Sequence, residues 1–234
     1  MPELLVALVR HADYHQPAGV PSALLPHPLT EEGAAQARGL GEEVVDLATA
    51  RGWRLHLEVP CSALLRAWQT ASLAAARAGE LLGLELTVEP SEALHERCVG
   101  SAANLSVAEI EAAVAADPRL EPLPAGWKSR PDLRLPFPGA ESLAEAGARV
   151  ARYLRARLDG IRRGIEGDTL VLVVGHGASL RHAGVPLGLF PDAAAAGAVS
   201  MHHARPVVCA APGDGPWRHV AGEWKPRARE RRVD

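Results

Sequence analysis

The sequence predicts an α/β fold, a three-layer α/β/α sandwich with a mostly parallel central sheet, and three observations carry that expectation. Leu4-Leu5-Val6-Ala7-Leu8-Val9 and Leu170-Val171-Leu172-Val173-Val174 are unbroken apolar runs, the pattern of strands covered on both faces. Between and after them, helical periodicities alternate with shorter strand patterns. At 234 residues and 47% hydrophobic, the chain suits one sizeable core better than two small ones. One domain over residues 1–224 is therefore expected, with a proline-rich insertion at 118–138 and a charged, disordered tail at 225–234.

The first run breaks on Arg10-His11, where ligands bind in parallel sheets, just beyond the carboxyl end of a strand. A guanidinium beside an imidazole suits an oxyanion, although Arg10 solvating the strand end and His11 capping a loop is the plainer alternative. A loop with Pro17, Pro21, Pro26 and Pro28 follows, too long for a tight turn and a candidate wall over the site. Thr30 caps a helix marked by Ala37, Leu40, Val44 and Leu47, which Gly52 stops. Leu55, Leu57 and Val59 alternate as a second strand. The helix opening at Ser62-Ala63-Leu64-Leu65 then puts Arg66 in its first turn, where the dipole also favours anions.

Leu84, Leu86 and Val88 form a third alternating strand leading to His95-Glu96-Arg97, where Glu96 reads as a proton donor or an ordinary ion-pair partner. Ser106 and Glu109 form a capping box for a helix ending before Pro118. The prolines from 118 to 138 exclude regular helix, and an insertion of this kind commonly forms a lid. A second capping box, Ser142 with Glu145, opens a long helix with Leu143, Ala146, Val150, Leu154 and Leu158 on its apolar face. Arg149, Arg152 and Arg155 read as solvated. The second apolar run ends on Gly175-His176-Gly177, whose glycines allow close approach of backbone to a ligand. Val207 to Cys209 suggest an edge strand, and His219 to Trp224 the last strand.

Composition limits the partners. Net charge is −3 and the isoelectric point near 6.4, so no global field draws the chain to nucleic acid or membrane. Only Lys128 and Lys225 are lysines, which cautions against reading each arginine as a chosen contact. Three widely spaced cysteines, Cys61, Cys98 and Cys209, have no metal-ligand spacing and suit a reducing cytoplasm. No run approaches the roughly 18 apolar residues of a membrane span, and no basic leader precedes the first strand; a cytoplasmic location is the expectation.

His11, Arg66, Glu96 and His176 each follow a predicted strand and should reach one sheet edge. Two histidines, two arginines and a carboxylate there describe a phosphate site with a nucleophile and a proton donor. No Gly-x-x-x-x-Gly-Lys loop or Gly-x-Ser-x-Gly elbow is present. A metal held by His11, His15 and His176 would be repelled by the adjacent arginines. His202 and His203 read as surface or packing residues.

Taken together, Leu8-Val9-Arg10-His11, Leu29-Thr30-Glu31-Glu32-Gly33, Ser62 to Ala71, Leu94-His95-Glu96-Arg97, Gly139-Ala140-Glu141-Ser142 and Val174-Gly175-His176-Gly177 resemble, in order, the motifs of the histidine phosphatase superfamily, phosphoglycerate mutase-like branch. The resemblance implies that His11 carries the phosphoryl group as phosphohistidine. Arg10, Arg66, His176 and Gly177 would hold its oxygens, and Glu96 would act as acid and then base, with no metal or other cofactor. It also implies substrate contacts at Tyr14, His15, Arg97, Lys128 and Arg130. Ala12 and Ala140 stand where the family has glycines, Tyr14-His15 resembles its protein-phosphatase members, and Val107 replaces a substrate-binding lysine of the mutases. The paired arginines that hold the mutase substrate's carboxylate have no match in register, though Lys128 and Arg130 approximate them. The expected activity is a metal-independent phosphomonoesterase, with a phosphoglycerate mutase and a catalytically silent phosphate-binding scaffold as alternatives. The expected partner is a phosphorylated small molecule or, alternatively, a phosphoprotein; no feature specifies an oligomer.

Overall fold

A computed structural model describes residues 2–21 and 24–227. Strand β1 (Leu4–Arg10) lies beside β5 (Thr169–Gly175) in parallel, residue for residue from Leu4 opposite Thr169 to Arg10 opposite Gly175. Beyond β5 come β3 (Glu58–Ser62) and β4 (Thr87–Ser91), both parallel. On the other side of β1 come β7 (Pro206–Ala210), antiparallel to β1, and β8 (Arg218–Ala221), antiparallel to β7, and the short β2 (Arg54–Leu55) pairs with the start of β5. The mostly parallel α/β class is thus the one the two apolar runs indicated.

Those runs lack polar alternation because both faces are covered. Leu5, Ala7, Val9, Leu170, Leu172 and Val174 pack with helices α1 (Glu31–Arg51) and α2 (Leu65–Leu82) on one side. Leu4, Val6, Leu8, Val171 and Val173 pack with α4 (Leu143–Arg162) and α5 (Gly177–Ala183) on the other. Between β4 and α4 lies α3 (Val107–Ala116), and both capping boxes, Ser106 with Glu109 and Ser142 with Glu145, are formed. Near the C-terminus, α6 (Ala193–Gly197) precedes β6 (Val199–Ser200).

Several expectations need correction. The second strand pattern is split: β2 ends at Leu55, pairing is interrupted before β3 resumes beside β5, and Leu57 is exposed. The third begins only at Thr87, leaving Leu84 exposed before it. Val207 to Cys209 form an interior strand between β1 and β8, which Pro206 permits because it stands at the strand's first residue. Arg149 is not solvated: its guanidinium grips the Glu141 carboxylate at 2.8 Å and donates to the Ala93 and His95 carbonyls. The proline-rich insertion carries its own small core, with Trp127 buried among Val99, Ala102, Ile110, Leu135 and Ala140. The tail is ordered at its start, because β9 (Lys225–Pro226) pairs with β6, and Arg227 N–H donates to the Ala198 carbonyl at 3.0 Å; its remainder lies outside the described residues.

The seating of α4 against α5 gives a test with two opposite signs on one helix. A Cβ at Gly147 would meet the His182 carbonyl carbon at 2.5 Å, whereas one at Gly160 meets nothing within 4 Å. Gly147→Ala should lower unfolding free energy by about 1–3 kcal/mol. Gly160→Ala should raise it by about 0.5–1 kcal/mol through helix propensity. Urea titrations of the two variants measure both, and a stabilising Gly147→Ala would contradict the packing of α5.

Candidate active site

Four adjacent strands deliver the site to one edge of the sheet. Arg10 and Gly175 are opposite each other, so His11 and His176 leave β1 and β5 at the same level, and His11 N–H extends the ladder to the Gly175 carbonyl at 2.9 Å. One strand further, Ser62 ends β3, and Arg66 is the second residue of α2. One further still, Ser91 ends β4 opposite Ser62, and a single 3-10 turn, Glu92–Leu94, leads to Glu96.

Hydrogen bonds fix the chemical form of His11. Its Nδ1 faces the Ala12 carbonyl at 2.8 Å and so carries the proton, while Nε2 faces the Arg66 Nε–H at 3.3 Å and so presents its lone pair. The ring is buried. Burial first, then the Arg66 and Arg10 guanidiniums, push its pKa well below the usual histidine value, so that the neutral base persists. Thr70 ties the strand end to α2, its hydroxyl accepting from Ala12 N–H at 3.0 Å and donating to the Arg66 carbonyl at 2.7 Å.

Arg66 is fully buried. It donates to the Leu25 carbonyl at 3.0 Å and to His176 Nδ1 at 3.2 Å, and its guanidinium lies 4.8 Å from the Tyr14 ring centroid. Since His176 Nδ1 accepts, its Nε2–H donates to the Ser62 hydroxyl at 2.8 Å. Both nitrogens are engaged, and a phosphate oxygen reaching His176 would replace one of these partners. Burial, followed by Arg66, holds this imidazole neutral as well. Arg10 donates to the Met201 carbonyl at 3.4 Å.

Glu96 accepts from Ala178 N–H at 3.2 Å and from Ser179 and Arg97 N–H at 2.9 Å each, which joins the segment after β4 to the start of α5. Arg10, His11, Glu96 and Gly177 border a cleft of about 200 Å³. A wider cavity of about 520 Å³ adjoins it, bordered by Glu96, Arg97 and Lys128 among others. Of the remaining candidates, Tyr14 is buried and packs edge-to-face on His11 with ring centroids 5.1 Å apart, whereas His15 and Arg130 are exposed and border neither cavity.

Sequence reasoning missed three neighbours. His203, read as surface or packing, donates from Nδ1 to the His11 carbonyl at 2.7 Å, its ring 5.4 Å from that of His11; no motif or periodicity marks it. Arg181 borders both cavities, and a helix following a strand that ends on histidine was the available signal. Arg227 borders both as well, but lay in the stretch read as disordered. Among the described residues no three histidine, cysteine, aspartate or glutamate side chains gather as a metal cage, and no helix is long and apolar enough to cross a membrane.

A neutral imidazole whose Nε2 lone pair faces the Arg66 guanidinium, with Arg10 and the Glu96 carboxylate bordering the same cleft, makes a setting whose charge suits an oxyanion such as phosphate, at the carboxyl edge of an α/β sheet. The chain belongs to the histidine phosphatase superfamily (branch 1), whose profile matches residues 6–193. Similar solved structures include a mycobacterial hydrolase (22% identity, TM-score 0.71, covering 98% of this chain and 94% of that one). Another is a mycobacterial glucosyl-3-phosphoglycerate phosphatase (24%, 0.67, 93% and 96%). A third is the alpha-ribazole phosphatase from Shigella flexneri (22%, 0.65, 88% and 89%). At these identities the likeness is one of fold. No curated protein sequence matches the chain.

Behind the site, His182 is buried, its Nε2 has no partner among the described residues, and burial, then Arg181, pushes its pKa down to about 4. The unfolded chain takes up this proton near pH 6.5 and the folded protein refuses it, so the stability involved is present above that pH and is lost as pH falls toward 4. Between pH 7.5 and 5.0 the wild type should lose on the order of 2 kcal/mol more than His182→Leu. Urea unfolding at both pH values measures the difference, and equal losses would show that His182 protonates freely in the folded state.

Proposed function

We propose that the protein hydrolyses phosphate monoesters through a phosphohistidine on His11. The observation that carries this reading is the His11 tautomer: Nδ1–H is committed to the Ala12 carbonyl, and Nε2 presents a lone pair beside the Arg66 guanidinium. That lone pair forms the N–P bond as the P–O bond to the alcohol breaks, and protonated Glu96 gives its proton to the leaving oxygen. Water then attacks phosphorus, the N–P bond breaks, and Glu96 takes the water's proton. Arg10, Arg66 and the Gly177 N–H hold the non-bridging oxygens, where charge spreads in the transition state; His176 holds Arg66 and can exchange a partner for a phosphate oxygen.

Hydrolysis is favoured over a silent binding role because nucleophile and proton donor border the same cleft, an arrangement that binding alone does not require. The substrate in this reading is a phosphorylated small molecule, which agrees with the small-molecule phosphatases among the similar structures.

Brief exposure to a phosphate monoester should leave acid-labile, base-stable phosphate on the protein, detected by phosphate-affinity electrophoresis, and His11→Ala should remove it. Label persisting in that variant would place the nucleophile elsewhere.

The role of Glu96 is read from leaving groups. Glu96→Gln should slow phosphoryl transfer from an alkyl phosphate by roughly 10²–10⁴. Transfer from p-nitrophenyl phosphate should slow much less, because p-nitrophenolate needs no proton. Single-turnover rates separate the steps. Equal losses on both esters would make Glu96 a structural cap of α5 instead of the acid.

A further inference from the structure

We propose that the cavity beside the phosphate cleft is a second anion site, and that the substrate is a phosphate monoester whose alcohol carries a carboxylate or second phosphate gripped by Arg181 and Arg227. The proposal rests on the hydrolase reading and extends it to the leaving group.

The two cavities share Glu96, Ala178, Arg181 and Arg227. An ester with its phosphorus at His11 and its bridging oxygen at Glu96 therefore continues into the larger space, whose roughly 520 Å³ suits a small organic group. Four cations border that space, Arg97, Lys128, Arg181 and Arg227, against two carboxylates. Both carboxylates are already engaged, Glu96 by backbone N–H groups and Glu111 by the Trp127 indole N–H at 2.9 Å.

Among the described residues, none of the four cations forms an ion pair. Several arginines elsewhere do, among them Arg77 with Glu42 and Glu80, Arg205 with Glu43, and Arg218 with Glu3. Arg181 is the telling case. It is only 7% exposed, donates from one terminal nitrogen to the Val199 carbonyl, and leaves its Nε–H without a partner. Burial and the neighbouring Arg227 lower its pKa to about 10, so it is still a cation at neutral pH. Among the described residues Glu96 is the one negative charge that offsets it, at a distance and without an ion pair, so an anion entering the cavity would relieve the remaining cost of burying this cation.

Arg227 reaches the cavity through a dedicated support. Its own N–H donates to the Ala198 carbonyl, and the preceding Lys225–Pro226 pair with Val199–Ser200. Val199 also supplies the carbonyl that Arg181 binds, so one short ribbon seats both guanidiniums. These cations come from the last turn of α5 and from the residue after β9, not from the region where the mutases carry their paired arginines.

Three esters that differ only in the tail test the proposal: glycerol 3-phosphate, 3-phosphoglycerate, in which a carboxylate replaces the hydroxymethyl group, and glycerol 1,3-bisphosphate. Wild-type kcat/KM should favour at least one anion-bearing ester over glycerol 3-phosphate by about tenfold or more. The ester favoured identifies the anion. In Arg227→Gln, a change near the exposed chain end, that preference should collapse mainly through KM, and Arg181→Gln should behave alike if its melting curve shows it folded. Equal use of the three esters by wild type, or a preference that survives in Arg227→Gln, overturns the anion site while leaving the hydrolase reading intact. If wild type turns over none of them, the hydrolase reading fails. Calorimetric binding of 3-phosphoglycerate and glycerol 3-phosphate to His11→Ala then decides the anion site alone: tighter binding of the carboxylate supports it, and equal affinity refutes it.

Discussion

A guanidinium withdrawn from water stands at the centre of this structure. Moving a cation into a protein interior costs several kcal/mol unless hydrogen bonds and counter-charges compensate. The partners of Arg66 include the Leu25 carbonyl of the first loop, His11 after β1, His176 after β5, and the face of the Tyr14 ring. Each partner must be in position for the charge to be tolerated. The proline-rich first loop, two central strand ends and the start of α2 therefore form one cooperative unit. The demand also orients both imidazoles, because a cation that can only donate leaves each of them the acceptor role at the nitrogen it faces.

Electrostatics and catalysis coincide here. The same positive field that lowers the affinity of His11 and His176 for protons suits an anionic ligand. In the proposed reaction a neutral imidazole is what attack on phosphorus needs, since only the lone pair can form the bond. Glu96 stands at the boundary of this field, where backbone N–H groups from two segments orient it between the cleft and the larger cavity.

Legibility in the sequence followed the physical origin of each feature. The two central strands were visible because covering both faces of a sheet demands unbroken apolar runs, and the residues just past them, His11 and His176, were visible by consequence. Arg66 and Glu96 were placed by the same logic on flanking strands, and the capping boxes because their hydrogen bonds are local in sequence. What escaped were contacts between distant segments. Arg149 is outward by periodicity, yet it straps the Glu92 to Glu96 segment to Glu141, a pairing that no spacing encodes. His203 reaches His11 across 192 positions. Leu57 and Leu84 fit an alternating pattern but fall in the break between β2 and β3 and in the turn between α2 and β4, so their alternation marks no strand. The C-terminal stretch looked like a tail because its charge hid two residues that pair with β6.

This contrast separates the chemistry from its selectivity. Strand register places His11 and His176, and a shift of one residue between β1 and β5 would move them to different levels and turn every core side chain to the wrong face. The cations bordering the larger cavity hang on peripheral supports: Lys128 on a 3-10 turn of the insertion, Arg97 against Trp127 of that same insertion, and Arg227 just after a two-residue strand. Such supports contribute little to the central core, so their side chains can change without disturbing the register beneath. On the proposed function, a fold arranged in this way would fix the phosphoryl chemistry in its sheet and leave the choice of alcohol to elements that can be exchanged one at a time.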